Sequence, residues 1–130
     1  MGLNHPRTLV QQFSSTIGLQ YLRAIHLNDS LCGFQSRKDR HQNVGLGEIG
    51  IKAFQHIVRD ERTKGIPIIL ETPSLGLPQE VWGVEISVLG RLSLLQASNS
   101  DGGNVEEFAE EIRLAVNKAK CRKRKREMDH

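Results

Sequence analysis

The sequences IHLNDS (residues 25–30) and IPIILET (residues 66–72) decide the fold of this chain. The first follows the pattern of a short buried strand over residues 22–27, and residues 68–70 of the second are fully apolar, which is typical of a parallel strand that is covered on both faces. Between them, apolar residues recur at helical spacing over residues 51–58. Strand, loop, helix and strand form one βαβ unit. We therefore expect two neighbouring parallel strands near residues 22–27 and 66–71, joined by a right-handed crossover.

Four side chains in and between these runs are of types that bind metal ions. His26 lies in the first run and Glu71 ends the second, while Asp39 and His41 form a D-x-H pair between them. Residues two apart on extended backbone point to the same side, and zinc accepts carboxylate and imidazole ligands. We expect all four to lie at one end of the strands and to face one cavity. The alternatives are a structural histidine, a paired carboxylate and a solvated polar loop.

The motifs HLNDS (26–30), S-R-x-D-R-H (36–41), V-G-x-G-x-I-G (44–50) and I-P-x-I-L-E-T-P (66–73) occur in this order. Over roughly Gly18 to Leu95 the chain resembles the C-terminal part of the endonuclease IV family of apurinic/apyrimidinic (AP) endonucleases. The resemblance implies a TIM barrel with a three-zinc site that acts in DNA base-excision repair. The implied substrate is DNA containing abasic sites, and the implied reaction is hydrolysis of the phosphodiester 5′ to the abasic sugar. Matched by position, two pairs of side chains would each hold one zinc ion: His26 with Glu71, and Asp39 with His41.

The loop between the motifs also carries basic residues. Arg37 and Arg40 are candidates for contact with DNA phosphates, and the alternative is a solvated loop or an ion pair with Asp39. Leu31 stands where a lysine is usual in the family, and Gln35 replaces a common glycine. Both departures fall in the loop, so they bear on loop conformation and DNA contact more than on the ligands.

The length of the chain sets it apart from the family it resembles. A TIM barrel needs about 250 residues, and this chain has 130. We therefore expect a C-terminal fragment of a (β/α)8 barrel, with α/β structure and a basic helical tail. It carries ligands for two zinc ions, incompletely, so we expect it to be inactive without a missing N-terminal barrel portion.

The positive charge of the chain is concentrated at its C-terminus. Residues 118–130 carry a net charge of +5, whereas residues 1–117 carry −2. The high isoelectric point is therefore no evidence that the folded part binds DNA. The tail is either a nuclear localisation signal, a non-specific phosphate binder or a solvated end. The residues of the predicted signal are Lys120, Arg122, Lys123, Arg124, Lys125 and Arg126.

Composition divides the chain into three parts. Residues 1–95 are the predicted barrel portion, residues 96–104 (QASNSDGGN) a flexible linker, and residues 105–130 an amphipathic helix with the basic tail. No apolar run reaches the length of a membrane span, and two distant cysteines indicate no disulfide framework. We expect a nuclear protein, with the cytoplasm or mitochondrion as alternatives. Two other functions remain open: a non-catalytic truncated nuclear protein that binds nucleic acid through its tail, and a sugar isomerase or epimerase on a related barrel.

Overall fold

The computed structural model describes residues 6–95 and 104–129, which form an α/β fold. Of the predicted linker, residues 96–103 lie outside the described part. Within that part, no helix combines the length and the apolar character needed to cross a bilayer. The elements in chain order are α1 (Pro6–Thr16), β1 (Ile25–Leu27), β2 (Asp29–Ser30), β3 (His41–Gln42), α2 (Ile51–Val58), β4 (Ile68–Leu70), α3 (Pro78–Leu94) and α4 (Val105–Met128).

Strands β1 and β4 pair in parallel, which confirms the pairing that the βαβ pattern predicts. Each strand has three residues and is shorter than expected, because parallel pairing is confined to residues 25–27 and 68–70. The pairing continues past β4, where the N–H of Glu71 donates to the carbonyl of Leu27 at 3.0 Å. The aligned residues are Ile25 with Ile68, His26 with Ile69, and Leu27 with Leu70.

The two faces of this strand pair differ. Leu27 is buried against the helices, whereas its neighbour His26 and the aligned Ile69 are exposed. Since side chains alternate along a strand, His26 and Ile69 share the face that the described helices leave uncovered. The buried apolar residues come from the strand, the following loop and three helices: Leu27, Val44, Ile51, Phe54, Val81, Val88, Leu89, Leu92, Ala109, Ile112, Val116 and Ala119.

Residues 28–46, which lie between β1 and the turn before α2, contain a small antiparallel ladder. Strand β2 pairs with β3, so that Asp29 is aligned with Gln42 and Ser30 with His41. The N–H of Leu31 also donates to the carbonyl of Arg40 at 2.9 Å. This ladder brings the end of the SRKDRH motif back beside the end of β1.

Helix α4 is part of the core. It spans Val105–Met128, so the amphipathic segment and the basic residues belong to one continuous helix. Four buried residues, Ala109, Ile112, Val116 and Ala119, pack it against α2 and α3. An ion pair of 2.6 Å joins Arg91 to Glu111, and the Arg91 guanidinium lies 5.1 Å from the centre of the Phe108 ring. From residue 120 to residue 129 every side chain is exposed.

Candidate metal centre

The first predicted ligand pair forms at the ends of the parallel strands. The Nδ1 of His26 lies 3.0 Å from Oε1 of Glu71. His26 projects from β1, and Glu71 directly follows β4, so the strand register itself places the two side chains together. The His26 side chain is 59% exposed, and that of Glu71 is partly exposed. An ion from solvent can therefore reach both donor atoms.

The second predicted pair lies at the end of the β2–β3 ladder. The Nε2 of His41 is 3.1 Å from Oδ1 of Asp39. Asp39 and His41 therefore point to the same side, as the D-x-H spacing predicts. The Asp39 side chain is 90% exposed, whereas His41 is half-buried because β3 holds it against the rest of the fold.

A hydrogen bond connects the two pairs. The Nδ1 of His41 lies 2.8 Å from the backbone carbonyl oxygen of Glu71. A carbonyl oxygen only accepts, so the proton of this bond belongs to Nδ1. In the neutral ring, Nε2 then carries a lone pair that faces the carboxylate of Asp39. A cation between Nε2 and the carboxylate oxygen would satisfy both acceptors at this distance.

The donor atoms of each pair fit one ion. Zinc–nitrogen and zinc–oxygen bonds of about 2.0–2.2 Å allow up to about 4 Å between two donors on one ion. Both observed separations meet this limit. Across residues 6–95 and 104–129, however, no three side chains of His, Cys, Asp or Glu converge on one point. This part of the chain therefore offers two donors for each ion, fewer than the three or four typical of zinc sites.

A cavity of about 1040 Å³ opens beside the second pair. Its wall includes Arg37, Asp39 and Lys52. His26, His41 and Glu71 are not among its lining residues, so this cavity is not the one expected to be shared by all four predicted ligands. The predicted phosphate contacts are both exposed. Arg37 lines this cavity, while Arg40 donates through Nη1 to the Asp39 carbonyl at 3.0 Å.

A buried carboxylate, which the sequence analysis missed, lies between the chain segments that follow His41 and Glu71. Glu85 of α3 is 0% exposed. Its Oε1 accepts from the N–H of Val44 at 2.8 Å, and its Oε2 accepts from the hydroxyl of Thr72 at 2.6 Å. Burial raises the pKa of Glu85, while hydrogen bonds from Thr72, Val44 and the Asn43 side chain oppose the rise. Its burial could have been predicted from its position, because Glu85 lies at helical spacing from the apolar residues Val81 and Val88.

Asp29 shapes the turn between β1 and α2. It is fully buried and accepts hydrogen bonds from the backbone N–H groups of Gly47, Ile49 and Gly50, at 3.1, 3.0 and 3.2 Å. A Cβ at Gly47 would lie 2.2 Å from the carbonyl oxygen of Ser30 and 2.5 Å from Oδ1 of Asp29. The glycine in this motif is therefore required by close backbone approach.

Comparison with known proteins agrees with this fold. The sequence profile of the family described as xylose isomerase-like TIM barrel matches residues 4–92. The match covers more than half of the chain, which therefore belongs to this family.

Two relatives are informative. The protein named "Probable endonuclease 4" from Campylobacter curvus is 43% identical over 83 residues, which are 64% of this chain and 28% of the relative. The protein of the same name from Buchnera aphidicola subsp. Acyrthosiphon pisum (strain Tuc7) is 49% identical over 79 residues, 61% of this chain and 27% of the relative. The resemblance to endonuclease IV is thus confirmed, and the match spans about a quarter of the length of these relatives.

Proposed function

We propose that this chain supplies the C-terminal zinc ligands of an endonuclease IV-type AP endonuclease that acts on DNA containing abasic sites. The relatives named endonuclease 4 favour this function over that of a sugar isomerase. The observation that carries the proposal is the contact between His41 and Asp39. With Nδ1 bonded to the Glu71 carbonyl, Nε2 and the carboxylate oxygen stand 3.1 Å apart in an arrangement that a cation satisfies.

Each part of the site then has a defined role. His26 and Glu71 hold one ion at the strand ends, and Asp39 and His41 hold another. A bound zinc ion would supply Lewis-acid chemistry for hydrolysis of a phosphodiester. The exposed guanidinium group of Arg37, at the wall of the adjacent cavity, would bind phosphates of the DNA backbone. The Glu71 carbonyl keeps the His41 ring turned so that Nε2 faces the ion.

The activity proposed for the whole enzyme requires more ligands than the described residues, 6–95 and 104–129, bring together. Two donors per ion hold zinc weakly, and two three-residue strands cannot close a barrel. We therefore expect the purified chain, supplied with zinc, to leave a duplex with one abasic site uncut. Incision that requires metal and is lost in His41→Ala would show that the missing ligands are not needed.

A chimaera tests the function itself. The 83 matched residues of this chain would replace the corresponding segment of the Campylobacter curvus relative, which serves intact as the positive control. We expect the chimaera to incise abasic DNA in the presence of zinc and to lose that activity in His41→Ala. A folded, zinc-loaded chimaera without incision, beside an active intact relative, would contradict the proposal.

A further inference from the structure

Two chain segments that carry proposed ligands are bound to each other by side chains. One segment, residues 41–44, begins with His41, and the other, residues 71–73, begins with Glu71. Three connections join them: His41 Nδ1 to the Glu71 carbonyl at 2.8 Å, Asn43 Nδ2 to the Pro73 carbonyl at 3.0 Å, and Glu85, whose carboxylate bridges the Val44 N–H and the Thr72 hydroxyl.

We propose that Glu85 is a positioning residue that holds these two segments together and so aims Nε2 of His41 at the metal. The effect of Glu85 on metal binding rests on the proposed function. Thr72 directly follows Glu71, and Val44 lies three residues after His41, so both ends of the bridge are close to a ligand. A shift at either end changes the distance between the His41 ring and the Glu71 carbonyl.

Glu85 is suited to this role because its own place is fixed. It lies on α3, where Val81 and Val88 on the same side of the helix are completely buried. Both carboxylate oxygens are used, one by each segment. Carboxylate–donor hydrogen bonds are among the stronger ones, and a carboxylate without partners at this depth would be costly. Residues that orient metal ligands without binding the metal themselves are important for affinity. Their replacement typically weakens metal binding by about 10–100-fold.

Four variants of the full chain separate positioning from general stability. Glu85→Leu removes both acceptors. Glu85→Gln is its matched control, because the amide oxygen accepts from the Val44 N–H and the amide nitrogen donates to the Thr72 oxygen. Thr72→Val removes one end of the bridge at nearly constant shape, and Thr72→Ser keeps the hydroxyl. Ile112→Ala, a change in the distant α4 interface, controls for lost stability.

Two measurements are made on folded protein, as judged by circular dichroism. Nitrogen NMR of the His41 ring in metal-free protein gives the fraction of the Nδ1–H tautomer. Competition with a chromogenic chelator gives the affinity for Zn²⁺. We expect Glu85→Leu and Thr72→Val to lower the Nδ1–H fraction and to weaken zinc binding, for Glu85→Leu by about tenfold or more. Glu85→Gln, Thr72→Ser and Ile112→Ala should keep the values of the unaltered chain.

The outcomes distinguish the two proposals. If the unaltered chain binds no zinc, the tautomer measurement by itself tests the positioning role, whereas a folded chimaera that binds no zinc contradicts the proposed function. If the unaltered chain binds zinc and Glu85→Leu does so equally well with an unchanged His41 tautomer, the positioning role is overturned. An equal loss of affinity in Ile112→Ala overturns it too. If Glu85→Leu does not fold, Thr72→Val decides: unchanged tautomer and affinity in that variant overturn the role.

Discussion

The ring of His41 is hydrogen-bonded through Nδ1 to the backbone carbonyl of Glu71, thirty residues further along the chain, at 2.8 Å. Glu71 is therefore connected to both halves of the candidate metal centre: its carboxylate faces His26, and its carbonyl orients His41. The bond leaves Nε2 of His41 directed at Asp39.

This arrangement predicts that Asp39→Asn weakens zinc binding by about tenfold or more, because the amide removes the charge that a cation between Asp39 and His41 requires. Isothermal titration of the full chain with Zn²⁺ measures the change. The control is Glu48→Gln, an exposed acidic residue of the same region. Equal effects of the two substitutions would mean that only net charge matters.

The buried position of Glu85 should make the chain less stable as the pH rises. Since burial raises its pKa in the folded state, the folded chain binds this proton more tightly than the unfolded chain does. The stability that comes from protonation of Glu85 is fully present below the ordinary glutamate pKa of about 4.3. It is lost as the pH rises through the raised pKa of Glu85 in the folded chain. Glu85→Gln mimics the protonated form. We expect the two proteins to match at low pH and Glu85→Gln to be the more stable at neutral pH.

The measurement is denaturant unfolding across this range, followed by fluorescence of Trp82, the single tryptophan, whose Nε1 donates to the Thr72 carbonyl at 2.9 Å. A stability advantage of the unaltered chain that grows with pH would contradict the sign of the effect.

Helix α4 should stabilise the whole unit. Ile112 is completely buried between α4 and the other helices, so Ile112→Ala should lower the free energy of unfolding by about 2–5 kcal/mol. Leu114 lies on the same helix but is 62% exposed, and Leu114→Ala should change it by no more than about 0.5 kcal/mol. Urea unfolding compares the two variants. A negligible effect of Ile112→Ala would show that α4 is not packed in solution.

The turn before α2 should not accommodate a side chain at position 47. Gly47→Ala places a Cβ 2.2 Å from the Ser30 carbonyl oxygen, and the free energy of unfolding should fall by at least about 2 kcal/mol. Gly83 of α3 has open space around it, so Gly83→Ala should raise stability by about 1 kcal/mol through helix propensity alone. Thermal unfolding distinguishes the loss of stability expected for Gly47→Ala from the gain expected for Gly83→Ala.

The basic end of α4 should act as a nuclear localisation signal. We expect residues 118–130, fused to a cytoplasmic reporter, to move it into the nucleus, because five consecutive basic residues, 122–126, lie in this exposed segment. Fluorescence microscopy of the fusion provides the measurement, and the same peptide with these five residues changed to glutamine is the control. A reporter that stays in the cytoplasm refutes the signal.

The sequence predicted the local elements well where apolar spacing is regular. Helix α2 has the predicted bounds, residues 51–58. The parallel pairing followed from the order of strand, helix and strand. The strand lengths and the β2–β3 ladder did not, because two- and three-residue strands depend on hydrogen bonds to distant chain rather than on local preference.

Within the candidate site, spacing alone brought Asp39 and His41 to one side, and strand order brought His26 to Glu71. The bond from His41 to the Glu71 carbonyl and the bridge through Glu85 link residues that sequence spacing does not relate. Whether a glutamate on a helix is solvated or buried depends on what packs against that face. Here the Thr72 hydroxyl and the Val44 N–H meet it in the interior.

For α4, the sequence by itself determined an amphipathic start and a strongly basic end. Only the tertiary structure decided that the helix joins the core. Its buried side chains gain stability from contact with α2 and α3, and the apolar spacing of a helix does not by itself say which elements will cover that face. Beyond Ala119 no side chain up to residue 129 is buried, although Arg122 still forms an ion pair with Glu80 of α3.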